Sequence, residues 1–166
     1  MDNHLLRFQE KKFLFYDFET FNLNLHDSFN LPWQIAVKRV EVVNKDGKFF
    51  NKVLKVQEED SKAESKDFYL EWDSPLKIGE EAKRITRYSE RVFQNRKMPQ
   101  AEVFKIIYPL IEECGYMVGP NILGFDIFLL RNWYKANGKS YSHLTEKSLD
   151  TFAIGKAIAL DYKFTP

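Results

Sequence analysis

"FLFYDFETF", residues 13–21, ends an aromatic run on two carboxylates, Asp17 and Glu19. In an extended chain side chains alternate faces, which places Asp17 and Glu19 on one face with Phe13 and Phe15, and Leu14, Tyr16 and Phe18 on the other. Apolar residues on both faces read as a central strand covered on both sides. Two acids at the end of such a strand repel each other and lose hydration, so the pair must be solvated, protonated or bridged by a cation. A divalent metal is the third of these options. Spacing alone is weak evidence. With 24 acidic residues among 166 the acid-x-acid pattern recurs by chance, as Glu58 and Asp60 illustrate, but that pair falls in a polar segment and this one terminates an aromatic strand.

The length suits one domain, residues 1–166, with material for a single substantial core. The chain is 44% hydrophobic and 30% charged, a globular composition. Fifteen phenylalanines are enough for an aromatic core, for base-stacking surfaces, or for both. A net charge of +1 gives no global field to attract nucleic acid, so phosphate binding would need local patches or bound metal. One cysteine, Cys114, excludes an internal disulfide. No apolar run approaches membrane-spanning length and the N-terminus lacks a signal-peptide pattern, so the expected location is cytoplasmic, with no membrane partner.

Outward from the first strand, "FNLNLHDSFNLP" reads as a polar loop and "WQIAVKRVEVV" as a second, β-branched strand. Asp46 and Gly47 in "NKDGK" mark a hairpin turn, and "FFNKVLKV" is the return strand. Residues 57–74 are charged and at first aperiodic, which predicts a solvated excursion. Residues 78–97 carry a helical pattern. A second helix opens after Pro99, its Val103, Ile106, Ile107, Leu110 and Ile111 following a 3.6-residue period up to Gly115, with Pro109 as a candidate kink. "YMVG" is a short buried strand, "FDIFLLRNWYKANG" a helix stopped by Gly138, and "KSLDTFAIGKAIAL" a strand turning into a helix near Asp150 or Thr151. This order indicates an α/β fold, a mixed β-sheet flanked by helices.

Asp126 lies at the start of an apolar helix, where an acid is favoured by the helix dipole; on its own it is as readily a capping residue as a ligand. In combination the pattern is more specific. A strand-end acid-x-acid pair and a later Asn-x-x-x-Phe-Asp at a strand-to-helix corner resemble the DEDD, or DnaQ-like, 3′–5′ exonucleases of the ribonuclease H-like fold. "FLFYDFETF" resembles their first motif, particularly that of the exodeoxyribonuclease I type, and "PWQIAVKRV" the strand that follows it. "VGPNILGFDIFLLRNWY" is similar to the second motif, with Pro120 in place of the usual His and one residue inserted between Asn121 and Phe125. "SLDTFAIGKA" resembles the Asp-Thr step that comes next.

The resemblance implies hydrolysis of single-stranded DNA, or of RNA, from a 3′ end, with two Mg²⁺ or Mn²⁺ ions held by Asp17, Glu19 and Asp126, Asp17 bridging both. It assigns the terminal nucleotide to Thr20 and Phe21 and the substrate strand to Asn121, while Phe21 also reads as a core residue. Trp33 and Gln34 read as sheet packing. Lys83, Arg84, Arg87, Arg91, Arg96 and Lys97 read as a solvated helix face before a phosphate track. His4, His26 and His143 lack ligand spacing, and Cys114 reads as buried. The family's last motif, a His or Tyr general base and a fourth acid, has no match before Pro166; Asp161 comes too early. The expectation is therefore an exonuclease-like domain without its last motif, of low activity as it stands, or alternatively a ribonuclease H-like module that binds nucleic acid or a protein without cleaving.

Overall fold

A computed structural model describes residues 11–21, 30–60, 65–74 and 77–160. Most of the expected loop after the first strand, together with His4, His26 and Asp161, lies outside the described residues.

The first strand, β1 (Lys11–Thr20), pairs antiparallel with β2 (Pro32–Lys45), whose far edge is shared by β3 (Lys48–Leu54) and β4 (Lys66–Glu71). A short β5 (Lys97–Pro99) extends the sheet beyond β4, and β6 (Tyr116–Gly119) and β7 (Ser148–Asp150) continue it, both parallel, on the other side of β1. The order is β5-β4-β2-β1-β6-β7, with β3 on β2. Asp46 and Gly47 both take positive φ in the hairpin turn between β2 and β3, the combination a two-residue type I′ turn requires. The helices are α1 (Glu80–Thr86), α2 (Glu90–Arg96), α3 (Gln100–Glu113), α4 (Asp126–Ala136) and α5 (Thr151–Ala159).

The fold is the expected mixed sheet flanked by helices, with β1 central. One face of β1 carries the core: Leu14, Tyr16 and Phe18 pack with Ile35, Val37 and Leu70 of the sheet against Ile107 and Ile111 of α3 and Leu130 and Trp133 of α4. Trp133 meets both Phe18 and Phe104 edge-on, and its indole N–H donates to Gln100 at 2.7 Å, so the largest core ring leaves no polar atom unpaired. Pro109 sits within α3 without ending it.

Three expectations need correction. The opposite face of β1 is not covered among the described residues: Phe15 is 40% exposed, because α3 and α4 both pack on the other side. Residues 57–74 are not wholly a solvated excursion, since β4 buries Phe68, Tyr69 and Leu70 against β2; charged neighbours hid its apolar triplet. Residues 78–97 are not one helix. Arg87 ends α1 in the left-handed conformation at φ 54° and Ser89 caps α2, accepting from the Val92 N–H. Among the described residues no helix is long and apolar enough to cross a membrane.

Candidate active site

Parallel strands β1, β6 and β7 end on the same edge of the sheet, and a crevice at the carboxyl ends of parallel strands is where α/β sheets habitually bind ligands. β1 contributes Asp17 and Glu19 there, opposite Ala36 and Gln34 of β2, and the pairing slips register between Glu19 and Thr20. A bulge at that point turns the chain away from the ladder just after the second acid. On the other side, β1 pairs with β6 only as far as Phe15 and Val118. The two strands then part at Gly119, where a Cβ would lie 2.9 Å from the Tyr16 carbonyl oxygen and 2.4 Å from Ile122 Cγ2. Only glycine fits that approach.

The gap opened by the parting strands is filled by the third acid. Asp126, the first residue of α4 and 3% exposed, accepts a hydrogen bond on Oδ1 from the Phe18 N–H at 2.9 Å. Phe18 lies between Asp17 and Glu19, so this bond brings the carboxylate of Asp126 to the backbone between the first two acids. The sequence left open whether Asp126 caps its own helix; its side chain instead ties α4 to β1 across 108 residues.

Mutual repulsion is visible in the electrostatics. Partial desolvation raises the carboxyl of Asp17, which remains exposed on the open face of the sheet, above its ordinary range, and partial desolvation followed by the charge of Asp17 raises that of half-buried Glu19. Asp126 is pushed up to about 7, first by burial, against the stabilising Phe18 N–H, and then by the charges of Asp17 and Glu19. Asp17 acts on both partners and is the hub of the trio. Among the described residues no three His, Cys, Asp or Glu side chains converge tightly enough to hold an ion as they stand, so a cation would have to draw these three together. The donor set fits a hard divalent ion: three carboxylates, oxygen ligands only, of which Asp126 feels the charge of both others.

The remaining expected residues are distributed around this cluster. Thr20 is buried. Phe21 is also buried, packed in a small aromatic cluster with Trp33, Tyr69 and Ile78 and with Tyr88 and Phe93 at its margin. It forms a wall between two cavities. One, of about 310 Å³, opens beside Glu19 and is bounded by Phe18, Thr20, Phe21, Ile85 and Phe125. The other, of about 370 Å³, lies between Phe21, Trp72, Tyr88 and Phe93. Asn121 is exposed at φ 56° and its side chain folds over Gly124. Trp33 is buried and Gln34 pairs in the ladder opposite Tyr69, as sheet packing requires.

Of the basic stretch, Lys83 pairs with Glu80 at 2.6 Å, Lys97 with Glu71 at 2.5 Å, and Arg96 lies over the Tyr69 ring. Arg84, Arg87 and Arg91 are exposed. His143 contacts Glu112 at 3.0 Å, and Cys114 is buried. Sequence reasoning missed Ile85 and Phe125 as cavity walls, and it missed the role of Asp150. That carboxylate accepts from the N–H groups of Phe152 (2.9 Å) and Ala153 (3.2 Å) in its own helix, and from Asn121 (2.9 Å) and Leu123 (3.2 Å) in the turn before α4. An acid immediately before an apolar helix signals the cap; nothing local signals the reach to the turn.

No protein-family model matches the chain, and no curated protein matches it in sequence. Solved structures do match in fold. Metal-free exonuclease I of E. coli in complex with single-stranded DNA superposes with a TM-score of 0.67 at 19% identity, over 90% of this chain and 30% of that one. The zinc-bound form of the same complex gives 0.66 at 19%, over 91% and 30%, and a product-bound exonuclease I gives 0.66 at 20%, over 91% and 32%. The chain thus has the ribonuclease H-like fold found in exonuclease I and spans about a third of the length of those proteins.

Proposed function

We propose that this chain is a 3′–5′ exonuclease domain of DEDD type that uses Mg²⁺ or Mn²⁺ to hydrolyse the terminal phosphodiester of single-stranded DNA. The observation that carries this reading is the acidic trio. Three carboxylates, two from the end of β1 and one fastened to the Phe18 N–H, lie at one edge, where Asp17 raises the proton affinity of Glu19 and both raise that of Asp126, an arrangement that costs stability unless a cation offsets it. The fold shared with exonuclease I, seen in complexes that include a dT13 oligonucleotide, supports the choice of substrate.

When bound, two divalent ions would activate a water and neutralise the charge that develops on the departing 3′ oxygen. The chain supplies the rest. Asp17, whose charge acts on both other acids, would bridge the ions; Glu19 would ligate one of them and Asp126 the other. Asp126 must shed its proton to do so, so an incoming cation competes with that proton and its apparent affinity should weaken as the pH falls below about 7. The apolar cavity beside Glu19 has walls suited to the base and sugar of a terminal nucleotide, with Thr20 and Phe21 on the strand side and Phe125 and Ile85 opposite. Phe21 serves there as a fixed wall, being held from behind by Trp33 and Tyr69. Asn121, exposed on the turn before α4, would be the residue to meet the preceding nucleotides.

The test is polarity and strandedness. A linear single strand labelled at its 3′ end should release labelled mononucleotide in Mn²⁺, slowly and only on prolonged incubation at high protein concentration, and a circular single strand should survive; an RNA strand run in parallel assigns the sugar. Cleavage of the circle would make the chain an endonuclease instead. The absence of three converged metal-ligating side chains among the described residues favours one second reading, a module that binds nucleic acid without cutting it. Retention of the linear strand without release of label would select that reading.

A further inference from the structure

Asp150 makes more hydrogen bonds than a helix cap requires. A cap accepts from the second or third N–H of its helix, and the Phe152 and Ala153 N–H groups supply that pair at 2.9 and 3.2 Å. The bonds from Asn121 and Leu123 come from a different element, 29 and 27 residues earlier in the chain, and use both carboxylate oxygens. The side chain is 6% exposed, so all four donors converge on a buried anion.

The turn it grips is short and internally tied. Both Gly124 and Phe125 donate their N–H to the Asn121 carbonyl, at 3.0 and 3.1 Å, and the Ile127 N–H reaches the Ile122 carbonyl at 2.8 Å. Asn121 takes a left-handed conformation to allow this. A turn so closed transmits the position of Asn121 and Leu123 directly to residue 126, one peptide beyond it. At the far end the Asp126 carboxylate meets the Phe18 N–H. A continuous hydrogen-bonded path therefore runs from the end of β7, through Asp150 and the turn, to the backbone of β1 between the two strand acids.

We infer that Asp150 is a positioning residue: its carboxylate locks the turn before α4 to the end of β7 and thereby holds Asp126 in place between Asp17 and Glu19. It touches no substrate. The inference concerns geometry, and only its consequence for metal binding rests on the nuclease reading above.

Serine separates capping from positioning. Ser caps a helix about as well as Asp, but its single oxygen on a shorter stem does not reach the turn, so Asp150→Ser should keep α5 and release Asn121 and Leu123. The readouts are amide hydrogen exchange at Phe18 by NMR, Mn²⁺ affinity by calorimetry, and the thermal midpoint. We expect the midpoint to change little, the Phe18 amide to exchange about tenfold faster, and Mn²⁺ affinity to fall by about 10- to 100-fold, the usual effect of losing a partner that orients a ligand. Asp150→Asn, which retains one acceptor oxygen, should recover part of both losses. A Phe18 amide as protected in Asp150→Ser as in the parent chain would overturn the inference. Should the serine variant fail to fold, the Phe18 amide of Asp150→Asn decides in the same way. If the parent chain takes no Mn²⁺, the proposed function fails, while exchange at the Phe18 amide still decides whether Asp150 positions the turn.

Discussion

Asp126 concentrates a conflict between stability and function in a single side chain. Burial and the neighbouring acids raise its carboxyl from 3.8 to about 7, so the folded chain holds this proton more tightly than the unfolded chain does. Its contribution to stability is then fully present below about pH 4 and is lost as the pH rises through about 7. Asp126→Asn keeps an oxygen to accept from Phe18 and removes the charge. Without metal, the variant should be more stable than the parent near pH 8, by a few kcal/mol at most in denaturant melts given about 1.4 kcal/mol per tenfold change in proton affinity, and the gap should shrink as the pH falls towards 5. Equal destabilisation at both pH values would show that the carboxylate is not strained by its surroundings. Two glycines offer a contrast at the same scale. Gly119→Ala would push a methyl against the Tyr16 carbonyl and Ile122, and should cost about 1–3 kcal/mol in denaturant melts. Gly124→Ala meets only the movable end of Asn121 and should cost clearly less.

Between elements, the least and most expendable are not those the charge pattern suggests. β4 sits in an acidic, lysine-rich stretch yet buries Leu70 completely. Leu70→Ala should cost about 2–5 kcal/mol, the range for a leucine deleted from a core, whereas a surface strand would lose almost nothing. α5 is the converse: none of its residues is buried and Phe152 is 51% exposed, so Phe152→Ser should leave the melting midpoint nearly unchanged. The elements readable from sequence were those with an uninterrupted period, namely β1, the β2–β3 hairpin, α3 and α4, and those bounded by clear stop or cap signals, namely β6 after Gly115 and the β7-to-α5 step at Asp150. β4 was lost because its apolar triplet lies in a charged, aperiodic stretch with no turn or cap signal to mark where the strand begins. The break between α1 and α2 was lost because the left-handed residue there is Arg87, where sequence rules look for glycine or asparagine. In the site, Asp17, Glu19 and Asp126 were legible because acids in apolar surroundings are conspicuous. Asp150 gripping a turn 29 residues away, and the Phe18 N–H meeting Asp126, depend on where strands end, which no local pattern records.

Across the whole molecule, the site follows from topology. β1 is flanked by an antiparallel strand on one side and by parallel β6 and β7 on the other; β1 delivers Asp17 and Glu19, β7 delivers Asp150, and the turn after β6 delivers Asp126 at the start of α4, all to one edge. The same core that buries Leu14, Tyr16 and Phe18 fixes the alternate face on which the two strand acids stand. The sheet thus supplies rigidity and the turns supply the chemistry. The nuclease reading of this edge depends on the acids being held together for a cation. Calorimetric titration of the chain with Mn²⁺ at about pH 8, where Asp126 has lost its proton, probes that dependence without a substrate, with Asp17→Asn and Asp126→Asn titrated alongside. Saturable binding by the parent chain, lost in both folded variants, is the expected result. Undiminished binding by Asp17→Asn, or none by the folded parent, would refute it.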